Sequence, residues 1–239
     1  MDLPDPSSKD ASRGLIGQAR NVLDRPEMGT CMNSSNAAAD AFDTADILAR
    51  LRAGNERFVR GQTIFAHESA DWRKQLVEGQ KPFATILGCS DSRVPIELVF
   101  DQGFGDLFVI RVAGSVIAPS VAGSIEYAVA HLKTPVVVVL GHERCGAVTA
   151  ALAKGDEPSS EPPSLDALLG WIRIGLAQSE LPASPPDRRL GAAVEANVRW
   201  SLKQLRDLRL HEKVEMDPRT QLVGAVYELD TGYVRFLDE

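Results

Sequence analysis

Cys89, Asp91 and Arg93 occupy alternate positions in Gly88-Cys89-Ser90-Asp91-Ser92-Arg93, and His142 and Cys145 stand three apart in Gly141-His142-Glu143-Arg144-Cys145-Gly146. Two thiols and one imidazole form a zinc-type donor set, and three protein ligands leave the fourth tetrahedral position for water or substrate. Thiolates argue against magnesium and calcium, which take oxygen ligands. Two thiolates already neutralise Zn²⁺, so the site acidifies water less than three neutral imidazoles would, and a nearby hydrogen-bond acceptor becomes useful. Asp91 is the obvious acceptor. Arg93 can clasp it in a bidentate fork that keeps it ionised and restrains it from the metal.

Blander readings exist for each residue alone. A single buried cysteine is usually a small hydrophobe, and Asp91 with Arg93 could be an ion pair capping the next helix. The combined spacing favours ligation. Thiol-disulfide exchange between Cys89 and Cys145 lacks the Cys-x-x-Cys arrangement such chemistry uses. His67, His131 and His211 have no ligand-like partners in sequence and are expected to be surface or satisfied histidines, with Glu143 and Arg144 solvated.

Both halves of the set need elements that bring them together from 53 residues apart. Phe83–Leu87 and Pro135–Leu140, the latter with four consecutive valines, read as parallel strands covered on both faces and ending in chemistry. Leu107–Val112 is a third strand, and Leu222–Glu228 with Tyr233–Leu237 form a hairpin turning through Leu229-Asp230-Thr231-Gly232. Apolar residues at helical spacing predict helices over Asp43–Arg60, Ala70–Glu78, Ser120–Leu132, Ala147–Lys154 (stopped by Gly155), a stretch carrying Leu165 to Leu176, and Asp187–Arg209. Val94–Phe100 suits one short helical turn. The expected fold is α/β: a mostly parallel central sheet flanked by helices, with an N-terminal helical arm and a C-terminal β-hairpin edge. Residues 1–42, rich in Ser, Asp, Asn and Ala, read as a weakly ordered tail in which Cys31 has no role; residues 43–239 read as a single domain with 43–80 as the arm.

Composition narrows the classes. A formal charge of -7 gives no footprint for nucleic acid or an anionic membrane. No run of about 20 apolar residues is present and no h-region opens the chain, so a cytoplasmic protein is expected. Three cysteines in 239 residues suit reduced thiols used for chemistry.

The Cys-x-Asp-x-Arg and His-x-x-Cys pair resembles the β-class carbonic anhydrases. The likeness runs from Gln80 to Ala147 through Gly-Cys-Ser-Asp-Ser-Arg-Val-Pro, Gly-Asp-Leu-Phe-Val-Ile-Arg-Val-Ala-Gly, Gly-Ser-Ile-Glu-Tyr-Ala-Val and Gly-His-Glu-Arg-Cys-Gly-Ala-Val, and Gly54-Asn55-Glu56-Arg57-Phe58 resembles the arm of bacterial members. The resemblance implies one zinc per chain on Cys89, His142 and Cys145, an orienting Asp91–Arg93 dyad, and attack of zinc-bound hydroxide on CO₂ to give bicarbonate and a proton. It implies a substrate pocket from Gln80, Phe108, Tyr127 and the Gly146 backbone, partly lent by a second subunit, hence a homodimer or dimer of dimers. In regulated members the aspartate swings onto zinc, so Asp91 is a fourth ligand in a closed form. Three departures stand out: Ser115 where asparagine is common, Ile86 where bicarbonate-regulated members carry tryptophan, and Arg111 as the lone match to that regulatory site. Carbonyl sulfide or carbon disulfide hydrolysis, or a non-catalytic four-ligand zinc protein, are the alternatives on this scaffold.

Overall fold

Val136–His142 is buried at every residue, and so is Ala84–Gly88; these strands form the middle of the sheet. The computed structural model describes residues 43–153, 161–210 and 219–238. Its strands are β1 (Ala84–Gly88), β2 (Leu107–Arg111), β3 (Val136–His142), β4 (Gln221–Tyr227) and β5 (Val234–Phe236), and its helices are α1 (Thr44–Val59), α2 (Ala70–Gln75), α3 (Ile96–Val99), α4 (Pro119–Ala130), α5 (Gly146–Ala153), α6 (Pro163–Ala177) and α7 (Pro186–Leu210). The sheet order is β2-β1-β3-β4-β5; the first four strands are parallel and β5 is the antiparallel edge. The expected α/β sheet with its hairpin edge is present.

Both faces of β1 and β3 are covered, as the valine run of β3 requires, and the one polar residue of β1, Thr85, is buried 2.8 Å from the Thr134 hydroxyl. Ile86, Val138 and Leu140 pack with Ile47 and Leu51 of α1 and with Ile96 and Phe100 around α3. Leu87, Val137 and Val139 pack with Ile125 and Val129 of α4 and with Val198, Leu202 and Leu205 of α7. The chain leaves β1 toward β2 on one side, then returns to place β3 on the other. That reversal opens a crevice beyond the carboxyl ends of β1 and β3, where open α/β sheets take their ligands.

The two N-terminal helices lie outside the sheet, as expected. The first, capped by the Asp43 carboxylate accepting from Ala45 N–H at 3.1 Å, packs Ile47 and Leu51 on the core. Gly54 lets it approach α3 closely: a Cβ there would lie 1.9 Å from the Phe100 carbonyl oxygen. The second is short, runs into a 3₁₀ turn at Leu76–Glu78, and buries none of its residues. Trp72 tethers it, donating from Nε1 to the Phe104 carbonyl at 2.8 Å and stacking on His67. The tail to residue 42, Cys31, Gly155 and His211 lie outside the described residues. No described helix is long and apolar enough to cross a membrane.

Candidate metal centre

Cys89 follows directly on β1, His142 closes β3, and Cys145 precedes α5. Because β1 and β3 are paired in register from Thr85–Val137 to Gly88–Leu140, the strand ends meet at the crevice. The Cys89 and Cys145 sulfurs and a His142 ring nitrogen all lie within 4.8 Å of one another, about the span of one ion's coordination sphere, and all three residues are buried.

The imidazole is set up as a ligand. Its Nδ1 lies 2.8 Å from the Glu143 carbonyl oxygen, which accepts the ring N–H and leaves the lone pair on Nε2. That Nε2 is buried without a hydrogen-bond partner. A buried acceptor so orphaned calls for an electrophile, and a Cys₂His donor set fits zinc.

The two thiols titrate as a pair. A hydrogen bond from Cys145 pushes the Cys89 thiol down to about 4, with help from the Gly114 and Asp91 backbone, against the opposing effect of burial. Cys145, facing that thiolate and buried, is pushed far up. The two shifts run in opposite directions, so the pair favours one thiolate facing one thiol.

Asp91 stands at the mouth. Arg93 Nε donates to Oδ1 at 2.9 Å and Arg93 Nη2 to Oδ2 at 2.7 Å, the expected fork, and the Arg93 backbone N–H adds a bond to Oδ1 at 3.0 Å. Arg93 first of all holds the Asp91 carboxyl well below the usual carboxylate range, although burial opposes it. Asp91 Oδ2 is 3.9 Å from His142 Nε2, so an ionised acceptor borders the ligand atoms. The capping alternative fails, because Pro95 is the N-cap of α3 and no side chain caps it. Arg93 also reaches the Arg144 carbonyl at 3.3 Å, joining the two ligand-bearing loops.

The pocket residues divide. Gly146 opens α5 beside Cys145, is exposed, and faces open space. Phe108 pairs in register with Thr85, four residues before Cys89, so it lies about 13 Å back along the strand. Its ring is 6.1 Å from that of Tyr127, which is 47% exposed. Gln80 is exposed on the loop before β1. The structure therefore groups Gly146 with the ligands and places Phe108 with Tyr127 elsewhere.

Arg111 has a role the sequence did not reveal. It donates from Nε to the Cys89 carbonyl at 3.0 Å and from Nη2 to the Asp91 carbonyl at 2.7 Å, clamping the turn that carries ligand and acceptor. Glu143, expected to be solvated, is half-buried and accepts from the Leu229 N–H at 3.3 Å, pinning the hairpin to the His142 loop. His67 is satisfied as expected, 2.8 Å from Asp106.

A family model described as carbonic anhydrase matches residues 84–234. A carbonic anhydrase of Mycolicibacterium smegmatis is 39% identical over 191 residues, covering 77% of this chain and 88% of that protein. Among solved structures, the β-carbonic anhydrase CafA of Aspergillus fumigatus is 30% identical with a TM-score of 0.63, over 82% of this chain and 91% of that one. This chain belongs to the β-carbonic anhydrase family. Carbonic anhydrase 2 of Mycobacterium tuberculosis is 59% identical over 103 residues, 43% of this chain. That match spans about half the length of this relative. The matched family region, residues 84–234, contains Cys89, Asp91, Arg93, His142 and Cys145.

Proposed function

We propose that this β-carbonic anhydrase interconverts CO₂ and bicarbonate, with one zinc ion per chain held by Cys89, His142 and Cys145. The observation that carries the reading is the unpartnered, buried Nε2 of His142, which lies 3.9 Å from an Arg-held carboxylate on a ring clustered with two buried thiols. Zinc on such a donor set supplies a Lewis acid that makes water nucleophilic near neutral pH.

The chain's own residues orient the reaction. Asp91, kept ionised by Arg93, accepts a hydrogen bond from the attacking water and turns its lone pair toward the carbon of CO₂. Arg93 also restrains Asp91 from joining the ligands: both side-chain bonds of the fork must break before the closed, four-ligand form arises. Gly146, with open space before it, forms the near wall of the substrate pocket. Gln80, Phe108 and Tyr127 serve a neighbouring copy's pocket, since Phe108 is set back from its own chain's Cys89. A homodimer or dimer of dimers follows as the working assembly.

Stopped-flow CO₂ hydration against pH, on protein of measured zinc content with a chelated control, tests this. Zinc-dependent hydration that rises with pH is expected. Stoichiometric zinc without hydration at any pH would overturn the assignment and direct the assay to carbonyl sulfide and carbon disulfide, linear isosteres of CO₂.

A further inference from the structure

The chain leaves β2 through two successive left-handed residues, Gly114 (φ 67°) and Ser115 (φ 51°). A Cβ on Gly114 would lie 2.6 Å from Ile172 Cδ1, and the positive φ already favours glycine. The Gly114 N–H donates to the Cys89 sulfur at 3.4 Å. Its direction depends on how the turn is held.

Buried carbonyls in such a turn need donors, and α7 supplies both. Asn197 Nδ2 donates to the Gly114 carbonyl at 2.7 Å. Ser201 Oγ, one helical turn further along the same face, donates to the Ser115 carbonyl at 3.1 Å. Asn197 is 4% exposed and Ser201 1%. Ser115 Oγ in turn donates to the Leu140 carbonyl at 3.3 Å, two residues before His142. The helix also rests on that strand end: a Cβ on Gly141 would lie 2.6 Å from Val198 Cγ2.

Asn197 shows what it is kept for. Its Oδ1 is buried without a hydrogen-bond partner, a cost that a leucine of similar volume would not carry. The amide is there for its N–H donor.

We propose that Asn197 and Ser201 are positioning residues of the metal centre, holding the Gly114–Ser115 turn so that the Gly114 N–H stays on the Cys89 sulfur and sets how Cys89 binds the metal. This rests on the reading of Cys89 as a metal ligand. A hydrogen bond to a ligand atom orients its lone pairs and tunes its donor strength, and losing such support costs roughly 10- to 100-fold in metal affinity.

The test uses Asn197→Leu, Ser201→Ala and the conservative Ser201→Thr, each as the full chain. Zinc affinity is measured by competition with a chromophoric chelator, and the cobalt(II)-substituted proteins are read by their sulfur-to-cobalt charge-transfer absorption. Asn197→Leu is expected to bind zinc about tenfold more weakly and to shift that band to lower energy, because the sulfur loses its hydrogen bond. Ser201→Ala shifts in the same sense by less, and Ser201→Thr restores the wild-type values. A merely structural role would lower the melting temperatures of the apo and zinc-loaded forms equally; the positioning role shrinks the gap between them. Wild-type affinity and an unshifted band in folded Asn197→Leu and Ser201→Ala overturn the proposal. If Asn197→Leu does not fold, Ser201→Ala against Ser201→Thr decides it. A wild-type protein that shows no sulfur-to-cobalt band overturns the reading of Cys89 as a ligand, a failure distinct from unmoved variants.

Discussion

At Cys89 the thiol is pushed down to about 4 by its hydrogen bond from Cys145, while Cys145 is pushed up by the thiolate it faces. These opposite shifts favour a thiolate at Cys89 facing a thiol at Cys145. A metal binding both as thiolates must therefore displace one proton from the pair rather than two. Zinc added to apo protein at pH 7 in weak buffer should release about one proton per ion, counted by a pH indicator; release of two would mean that Cys89 is an ordinary thiol. The neighbouring carboxylate has the opposite kind of consequence. Asp91 is held below its unfolded value of about 3.9, so its pairing with Arg93 adds stability above about pH 4 and loses it as pH falls below. Asp91→Asn should flatten the acid-unfolding curve in that window and keep its zinc. Its hydration at neutral pH should fall about tenfold or more, since the proposed mechanism relies on Asp91 to orient the nucleophile. Wild-type turnover in a zinc-replete Asp91→Asn protein would remove Asp91 from the mechanism.

Among the elements, α1 has the least obvious role, and a single side chain shows it. Asn55, buried on that helix, donates from Nδ2 to the carbonyls of Val99 (3.1 Å) and Gly232 (2.9 Å) and accepts from the Val234 N–H at 2.8 Å. One amide thus fastens α1 to the end of α3 and to the β4–β5 hairpin. Asn55→Ala leaves those buried backbone groups short of partners, and a loss of about 2–4 kcal/mol is expected. Calorimetry should show the lower melting temperature, with zinc stoichiometry unchanged because none of these bonds reaches the ligands. The amphipathic pattern of α1 announced a buried face without saying what would cover it, which is why it read as an arm. By contrast β3 was legible as a central strand, because four consecutive valines leave no solvent face, and β1 because its short run of apolar and weakly polar residues has no polar alternation. The cluster that could hold a metal was legible for a similar reason: Cys89, His142 and Cys145 are rare residue types at the ends of such runs. Arg111, Asn197 and Ser201 were not. Their partners are backbone carbonyls, and a side chain that bonds to backbone leaves no pattern of residue types to read.

For the whole molecule the open question is assembly, and the β2 edge bears on it. Every residue of Leu107–Arg111 is at least partly exposed, although its neighbour β1 is buried throughout. Beside it Phe108 and Tyr127 form a tilted aromatic pair, with Tyr127 about half exposed. Exposed aromatic surface of this kind is where protein interfaces concentrate their energy. In the proposed pocket the edge gains a catalytic meaning, since Phe108 lies about 13 Å back along the strand from its own chain's Cys89. If a second copy supplies the pocket wall, catalysis and association must fail together. On dilution, specific CO₂ hydration should fall in step with the dimer fraction measured by sedimentation, while zinc content holds, because all three ligands come from one chain. Tyr127→Glu, which puts a charge into that surface, should move both curves to higher protein concentration. Full specific activity in a sedimenting monomer would show that one chain completes its own pocket.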